Sequence, residues 1–348
     1  MHVITPDGYE IRIDQVRAMQ EAAALKPTMG KWLLFVLDSA DRLNTYSANS
    51  LLKILEEAPA NVVFILIAGG TSSVIPTILS RSEVVRFQVP SHDAARKKLA
   101  EILYFSDEQV ADIYAWSEGQ FGTSLSLAKV YEDHEIPVGI SASHTAFLNA
   151  LEGFSLSLQA EIDEAGSLDE ALRIVARLEQ GIFLPLRIAR KEFCRALVMT
   201  AGLPAAFPLL FTESFTERID LARKSIRKSF DTLMADAKSS YSAGMIKELD
   251  GQINAALAAW GLGQIEDLFC CLMNWYADAL RWFGSKDETL LLNLNRKEDI
   301  ITLAEVDTTS LLRSRIEMLE ESVYLLRRYV QPSLVIENVL TQIGGPEA

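Results

Sequence analysis

Two uninterrupted apolar runs constrain the fold more than any other feature of the sequence. Residues 32–37 read WLLFVL, and this run stops at Asp38. Residues 62–68 read VVFILIA, and this run stops at Gly69. Runs without alternating polar residues are typical of strands in parallel sheets whose two faces are both covered by helices. We therefore predict an α/β region with both strands buried on two faces, and we expect ligands near Asp38 and Gly69, at the carboxyl ends of the strands.

The segment between the two runs has the pattern of an amphipathic helix. Asn44 or Thr45 is suited to begin this helix as its N-cap. Pro59 is suited to end it, because proline cannot donate the helical hydrogen bond. The apolar residues recur at the spacing of a single helix face, and they are Ala48, Leu51, Leu52 and Leu55.

The residues after the second run lead to a single arginine. Pro76–Leu79 predicts a short helix, and Arg81 follows just beyond its end. Glu83–Val89 then returns to a strand-like apolar pattern. The predicted order is therefore strand, helix, strand, helix, strand.

Three sequence strings in this region together resemble a known family. Residues 38–43 read DSADRL, residues 48–57 read ANSLLKILEE, and residues 76–81 read PTILSR. Their order and spacing resemble the AAA+ clamp-loader subunits of bacterial DNA polymerase III, and the delta-prime type of subunit is the nearest match. The resemblance implies a fold of the α/β plus all-α class, with a partial AAA+ parallel-sheet domain, a small helical lid and a helical C-terminal collar domain.

On this resemblance the chain is expected to contain four regions. Residues 1–90 form a partial AAA+ nucleotide-binding-like domain lacking the P-loop, since no GxxxxGK[ST] string occurs in the sequence. Residues 91–133 form the lid, residues 134–245 a helical region to which the resemblance assigns no role, and residues 246–348 the collar for oligomerisation. In the family a first strand, the P-loop and a helix precede this point, so we expect the chain to start inside the domain. Truncation, a misplaced start codon and a genuine loss stay open as reasons.

Three positions depart from the pattern of relatives that hydrolyse ATP. Asp38 stands at a degenerate Walker B position, but Ser39 follows it where an acid is needed to activate water. Gly69 has no side chain to sense the terminal phosphate, and Thr123 replaces an arginine at the start of a lid helix. We therefore expect no cofactor, no metal site and no enzymatic activity from the chain alone. The alternative for Asp38 is that it caps the turn after its strand.

The resemblance assigns Arg81 as an arginine finger that acts in trans on a neighbour's ATP. A guanidinium is permanently charged and forked, so it stabilises negative charge on a transferring phosphate better than an ammonium does. The alternative is an ordinary ion pair within the chain.

The function implied is that of a non-hydrolysing stator subunit (delta-prime), an accessory subunit of the DNA polymerase III holoenzyme that helps to load the sliding clamp in DNA replication. The expected partners are clamp-loader subunits of the gamma/tau and delta types, with the sliding clamp and primed DNA contacted through the assembly. Two alternatives stay open: an N-terminally truncated gamma/tau-type ATPase, and a helical adaptor on a degenerate AAA+ scaffold.

Composition limits the remaining possibilities. The net charge of −14 opposes a protein that wraps DNA by itself. No apolar run approaches the ~18 residues needed to cross a bilayer, so we expect a cytoplasmic protein without a membrane partner.

Two basic stripes are expected to be solvated helix faces; they are Arg187, Lys191 and Arg195, and Arg223, Lys224, Arg227 and Lys228. The cysteines are expected to be helix-core thiols; they are Cys194, Cys270 and Cys271.

The rest of the chain is predicted to be helical. The helices are His92–Phe105, Asp107–Ser117, Thr123–Tyr131, Phe147–Ile162, Leu168–Gln180, Pro185–Thr200, Ser214–Lys238, Ile265–Phe283, Thr309–Tyr329 and Pro332–Ile343. The resemblance implies that apolar anchors of the collar, such as Trp275, are buried between subunits. The alternative is a helical bundle private to this chain.

Overall fold

The structure is a computed structural model. It describes residues 1–6, 10–24, 30–56, 59, 61–71, 74–87, 90–133, 143–165, 167, 170, 174, 183–200, 202–237, 241–328 and 330–344. The chain divides into two compact units, residues 1–88 and residues 89–348. Each unit is described by itself.

The first unit is built on a three-stranded parallel sheet in the order β1-β2-β3. The strands are β1 (His2–Ile4), β2 (Leu33–Leu37) and β3 (Val62–Leu66). The helices are α1 (Ile13–Ala23), α2 (Thr45–Glu56) and the short α3 (Pro76–Leu79). Both apolar runs are therefore strands, as predicted, and they pair directly in parallel. The strand β1 was not predicted, because three residues are too few to display a period.

Helices α1 and α2 cover one face of this sheet. Phe35 and Leu37 of β2 are buried in a cluster with Val16 of α1 and Leu51 of α2. Helix α2 begins as predicted, since the side-chain oxygen of Asn44 accepts a hydrogen bond from the backbone N–H of Ser47 at 2.9 Å. This face is the core of the first unit.

The opposite face of the sheet is apolar and open. Val3, Val36 and Ile65 lie side by side across the three strands. Val3 is 57% exposed, Val63 39% and Ile65 43%. The prediction that both faces of the strands are buried is therefore wrong for this face, although the side chains on it are those of a covered sheet.

The third predicted strand is also wrong where the structure describes it. Residues 83–87 have no regular secondary structure, and Val85 and Phe87 are 68% and 92% exposed. β-branched residues favour an extended chain, but a strand also needs a neighbour for its backbone hydrogen bonds. Residues 88 and 89 lie outside the described residues.

The second unit is helical. Its described helices are α4 (His92–Leu103), α5 (Asp107–Trp116), α6 (Phe121–Asp133), α7 (His144–Glu164), α8 (Leu184–Val198), α9 (Phe207–Ala237), α10 (Ala243–Ser285), α11 (Lys297–Val306), α12 (Thr309–Leu326) and α13 (Pro332–Gly344). The predicted helices are confirmed, with two differences: α9 and α10 begin earlier, and α11 was missed. The helix predicted over residues 168–180 lies almost wholly outside the described residues.

One large core joins α7–α10 with α11–α13. Stacked phenylalanines form part of it: the ring of Phe193 lies 5.4 Å from that of Phe147 and 4.9 Å from that of Phe211. Residues before and after position 245 therefore share a single hydrophobic interior. Of two smaller clusters, one joins α5 and α6 with Leu184 and Ile188 of α8, and the other joins α4 and α5 with Leu292.

Helix α10 is long and apolar enough to cross a membrane by length and composition alone. Half of its most apolar 18-residue window (50%) is buried inside the fold, however. Burial of this kind is usual for a helix at the centre of a bundle.

Candidate functional site

The carboxyl ends of β2 and β3 meet at one edge of the sheet. The backbone N–H of Ile67 donates to the carbonyl of Leu37 at 2.9 Å, and that of Ala40 donates to the carbonyl of Ile67 at 2.7 Å. Asp38 is exposed just beyond β2, and its backbone N–H donates to Ile4 of β1 at 2.9 Å. The structure thus brings Asp38 and the turn after β3 together, as parallel pairing predicts.

Asp38 does not belong to a cluster of metal ligands among the described residues. Among the described residues there is no group of three or more His, Cys, Asp or Glu side chains that is able to hold a metal ion. Ser39 adopts a left-handed backbone with a φ of 56° and leads into a short turn. A single exposed carboxylate at a turn supports neither the Walker B assignment nor its alternative by itself.

The absence of a side chain at Gly69 is not imposed by the fold. Its φ lies outside the left-handed region that favours glycine, and a Cβ built there meets nothing within 4 Å. A polar residue would therefore fit at this position without strain.

Arg81 lies at the end of α3, held by contacts to two elements. One terminal nitrogen lies 2.5 Å from Oε1 of Glu56, the last residue of α2. The other donates to the carbonyl of Thr77 at 3.1 Å and to Oγ of Ser80 at 3.3 Å. The side chain of Arg81 is nevertheless 38% exposed. The ion pair expected as the alternative role is therefore present, and the guanidinium also remains accessible to a partner.

Sequence reasoning missed Glu56 as a neighbour of Arg81. The two residues lie on either side of β3, and no periodicity connects residues on separate elements. Only the packing of α2 against α3 brings them together. A carboxylate at the end of a helix, where the helix dipole disfavours it, is the one local signal that it has a cationic partner.

Thr123 lies in the first turn of α6. Its hydroxyl donates to the side chain of Gln120 at 2.9 Å, so its described contact is local.

Two members of the first basic stripe, Arg187 and Lys191, are buried, so the prediction of a solvated face is wrong for them, whereas the side chain of Arg195 is 29% exposed. Arg187 and Lys191 on α8 are 8% and 4% exposed. The Nζ of Lys191 donates to the carbonyl of Ala115 at 2.8 Å and lies 3.4 Å from Oε2 of Glu118. Glu118 also accepts a hydrogen bond from Asn274 of α10 at 2.7 Å. These charges hold the turn between α5 and α6 against the helical bundle.

Arg187 and one further arginine, Arg190, extend this buried network. Arg187 donates to the carbonyl of Trp116 at 3.2 Å, and burial, followed by the neighbouring charge of Arg190, lowers the pKa of its guanidinium. Arg190 is 2% exposed and lies 2.8 Å from Oδ2 of Asp267 on α10. None of these three cations on α8 is free to bind a DNA backbone.

Glu118→Gln is expected to lower the free energy of unfolding by about 1–3 kcal/mol, because the substitution removes a charged acceptor from a buried lysine. The change would be measured from the urea unfolding midpoint of the isolated chain. Glu108→Gln, at an exposed position of α5, is the matched control. Equal midpoints for the two variants would contradict the role given to Glu118.

The second basic stripe agrees better with its prediction. On α9, Lys224 and Lys228 are exposed. Arg227 pairs with Asp231 at 2.7 Å and also contacts Asp250. Much of this positive charge is therefore balanced by acidic residues of the same chain.

Trp275 is a core residue and not an anchor between subunits. It is 0% exposed and lies inside the large core of the second unit. Val339 and Ile336 of α13, which lie in the predicted collar, are also fully buried in it. The prediction that these side chains are buried between subunits is wrong, because the chain's own helices already cover them.

The three cysteines lie among the helices, as predicted. Cys194 and Cys271 are fully buried, and Cys270 is partly buried. Burial raises the pKa of the Cys270 thiol to about 11. A thiol with so high a pKa is protonated at neutral pH and therefore unreactive.

The comparisons with known proteins find a likeness to subunits of DNA polymerase III. The family model described as "DNA polymerase III, delta subunit" matches residues 1–91. DNA polymerase III subunit delta' of Bacillus subtilis is 32% identical over 101 residues, which cover 29% of this chain and 31% of the relative. The same subunit of Haemophilus influenzae is 31% identical over 120 residues, covering 34% of this chain and 37% of the relative.

A longer alignment is found with a different type of subunit. DNA polymerase III subunit gamma of Buchnera aphidicola is 29% identical over 238 residues, which cover 66% of this chain and 66% of the relative. The chain spans about a third of the length of the two delta' relatives. The resemblance to DNA polymerase III clamp-loader subunits is confirmed for the N-terminal unit.

Proposed function

We propose that this chain is a non-hydrolysing stator subunit of the delta-prime type in a DNA polymerase III clamp loader. In this proposal the first unit is a partial AAA+ domain, and it presents Arg81 to the ATP bound by a neighbouring subunit. The observation that carries the proposal is the accessible guanidinium of Arg81, at the end of α3 within the residues that match the family.

The proposed partners are clamp-loader subunits of the gamma/tau and delta types, in the cytoplasm. The sliding clamp and primed DNA are contacted through this assembly and not by the chain alone. The net charge of −14, the burial of Arg187 and Lys191 and the ion pairs of Arg195, Arg223 and Arg227 support an indirect contact with DNA. The likeness to subunit delta' supports this type of subunit.

A second candidate function is that of a gamma/tau-type ATPase. The alignment with subunit gamma of Buchnera aphidicola, over 66% of the chain, favours it. Ser39, Gly69 and Thr123 argue against hydrolysis, because none supplies an acid, a phosphate sensor or a cation.

Reconstitution tests the proposal directly. The chain would be mixed with the gamma/tau-type and delta-type subunits, the sliding clamp and primed DNA of the same organism. We expect a complex that elutes as one species and that loads the clamp in the presence of ATP only when the chain is included. The chain alone should release phosphate at the background rate.

Two results would contradict the proposal. Failure to join the other subunits would favour the helical adaptor. ATP hydrolysis by the chain alone that Asp38→Asn abolishes would favour the gamma/tau-type ATPase.

A further inference from the structure

The contacts of Arg81 define where its guanidinium lies. Its two terminal nitrogens contact acceptors on two separate elements, Glu56 at the end of α2 and the Thr77–Ser80 segment of α3. An unrestrained arginine samples many rotamers, and this freedom is lost when it binds. The two-sided contact removes much of this freedom before any partner arrives.

We propose that Glu56 is a positioning residue for Arg81, and that its carboxylate fixes the guanidinium in the place from which it meets a phosphate of a partner's nucleotide. The inference rests on the proposed function. Glu56 acts only through Arg81 and does not touch the nucleotide.

The guanidinium keeps donors for a phosphate while it is held. Arginine carries five N–H donors. The contacts to Glu56, Thr77 and Ser80 use at most three of them, which leaves at least two. A phosphate oxygen is therefore able to join the pair without displacing Glu56.

The place of Glu56 in α2 is informative. It is the last residue of the helix, where the negative end of the helix dipole disfavours a carboxylate. Its side chain is 49% exposed, so the ion pair contributes little to the stability of the fold. The carboxylate of Glu56 is thus disfavoured by its own helix and adds little to stability. Its effect on Arg81 accounts for its presence at this position.

Three substitutions in the reconstituted loader test this role. Glu56→Ala removes the acceptor, and we expect turnover at saturating ATP to fall about tenfold at the affected site, with KM for ATP unchanged, because the reacting groups are less well oriented. Glu56→Gln keeps an acceptor at the same reach and should retain most of the wild-type rate. Glu56→Lys replaces attraction by repulsion and should be the slowest of the three.

The matched control is Glu21→Ala. Glu21 is also exposed and lies in the last turn of a helix, α1, and its replacement should leave turnover unchanged. Thermal unfolding of the isolated chain should be similar for all variants, which separates positioning from a structural role.

The double variant Glu56→Ala/Arg81→Ala decides how Glu56 acts. It should be no slower than Arg81→Ala alone. The inference is overturned if Glu56→Ala turns over as fast as wild type, if Glu56→Gln is no faster than Glu56→Ala, or if the double variant is slower than Arg81→Ala. If Arg81→Ala itself has no effect, the proposed function fails instead.

Discussion

Arg81→Ala is expected to slow ATP hydrolysis by the reconstituted loader and to leave its assembly intact. A finger arginine stabilises the charge that develops on the transferred phosphate, and its loss costs ~10³-fold or more at the affected site. The total rate should fall less, because other sites in the ring keep their own arginines. Arg81→Lys should recover only part of the loss, since an ammonium lacks the planar fork. Steady-state phosphate release at saturating ATP, with clamp and primed DNA present, is the measurement.

The control for this prediction is Arg86→Ala, which removes an exposed arginine from the same region of the chain. Arg81 takes part in a surface ion pair, and pairs of this kind contribute only about 0–1 kcal/mol. Its replacement should therefore not unfold the first unit, and size-exclusion chromatography should find the variant in the complex. If both Arg81 variants hydrolyse ATP and load the clamp at wild-type rates, Arg81 has no part in the mechanism.

Trp275→Ala is expected to destabilise the chain by about 3–5 kcal/mol, the usual cost of a large-to-small substitution of an aromatic residue in a core. Trp275 is fully buried in the C-terminal half of α10, so its loss leaves a cavity. The stability of a folded domain is only about 5–15 kcal/mol, so this one substitution removes a large share of it. Chemical denaturation of the isolated chain, followed by circular dichroism, gives the difference.

The matched control is Phe283→Ala on the same helix. Phe283 is 50% exposed, so its truncation should cost far less. A Trp275→Ala chain that unfolds at the wild-type denaturant concentration but no longer joins its partners would restore the view that Trp275 is an anchor between subunits. Any loss of assembly that accompanies unfolding is instead a consequence of instability.

The parts of the fold that follow from local pattern were predictable. The two apolar runs became adjacent parallel strands, and Asn44 began α2 as its N-cap. Hydrophobic periodicity reports which residues share a face and where an element ends. It therefore also located most of the helices in the second unit.

The residues that pack against a given helix face were not predictable from the sequence. Lys191 lies on a charged stripe that looks solvated, but Glu118 and the carbonyl of Ala115 meet it from other elements. Trp275 lies on a stripe that looks available to another subunit, but this chain's own helices bury it. Hydrophobic periodicity identifies which residues share a helix face, but it does not identify what packs against that face.

The candidate site was likewise predictable only in part. The position of Arg81 after α3 and the meeting of two strand ends near Asp38 both followed from the order of the elements. The contact between Arg81 and Glu56 required the packing of α2 on α3.

The open apolar face of the sheet has a consequence for the colloidal behaviour of the purified chain. This face exposes apolar side chains of Val3, Val63 and Ile65, and exposed apolar surface promotes association between molecules. The net charge of −14 opposes association, because the molecules repel one another. Salt weakens only the second effect, because the Debye length falls from about 30 Å at 0.01 M to about 8 Å at 0.15 M. The isolated chain should therefore associate more, and scatter more light, as salt is added. A protein whose association depends on ion pairs would show the opposite. The chain should stay monomeric longest in buffer of low ionic strength.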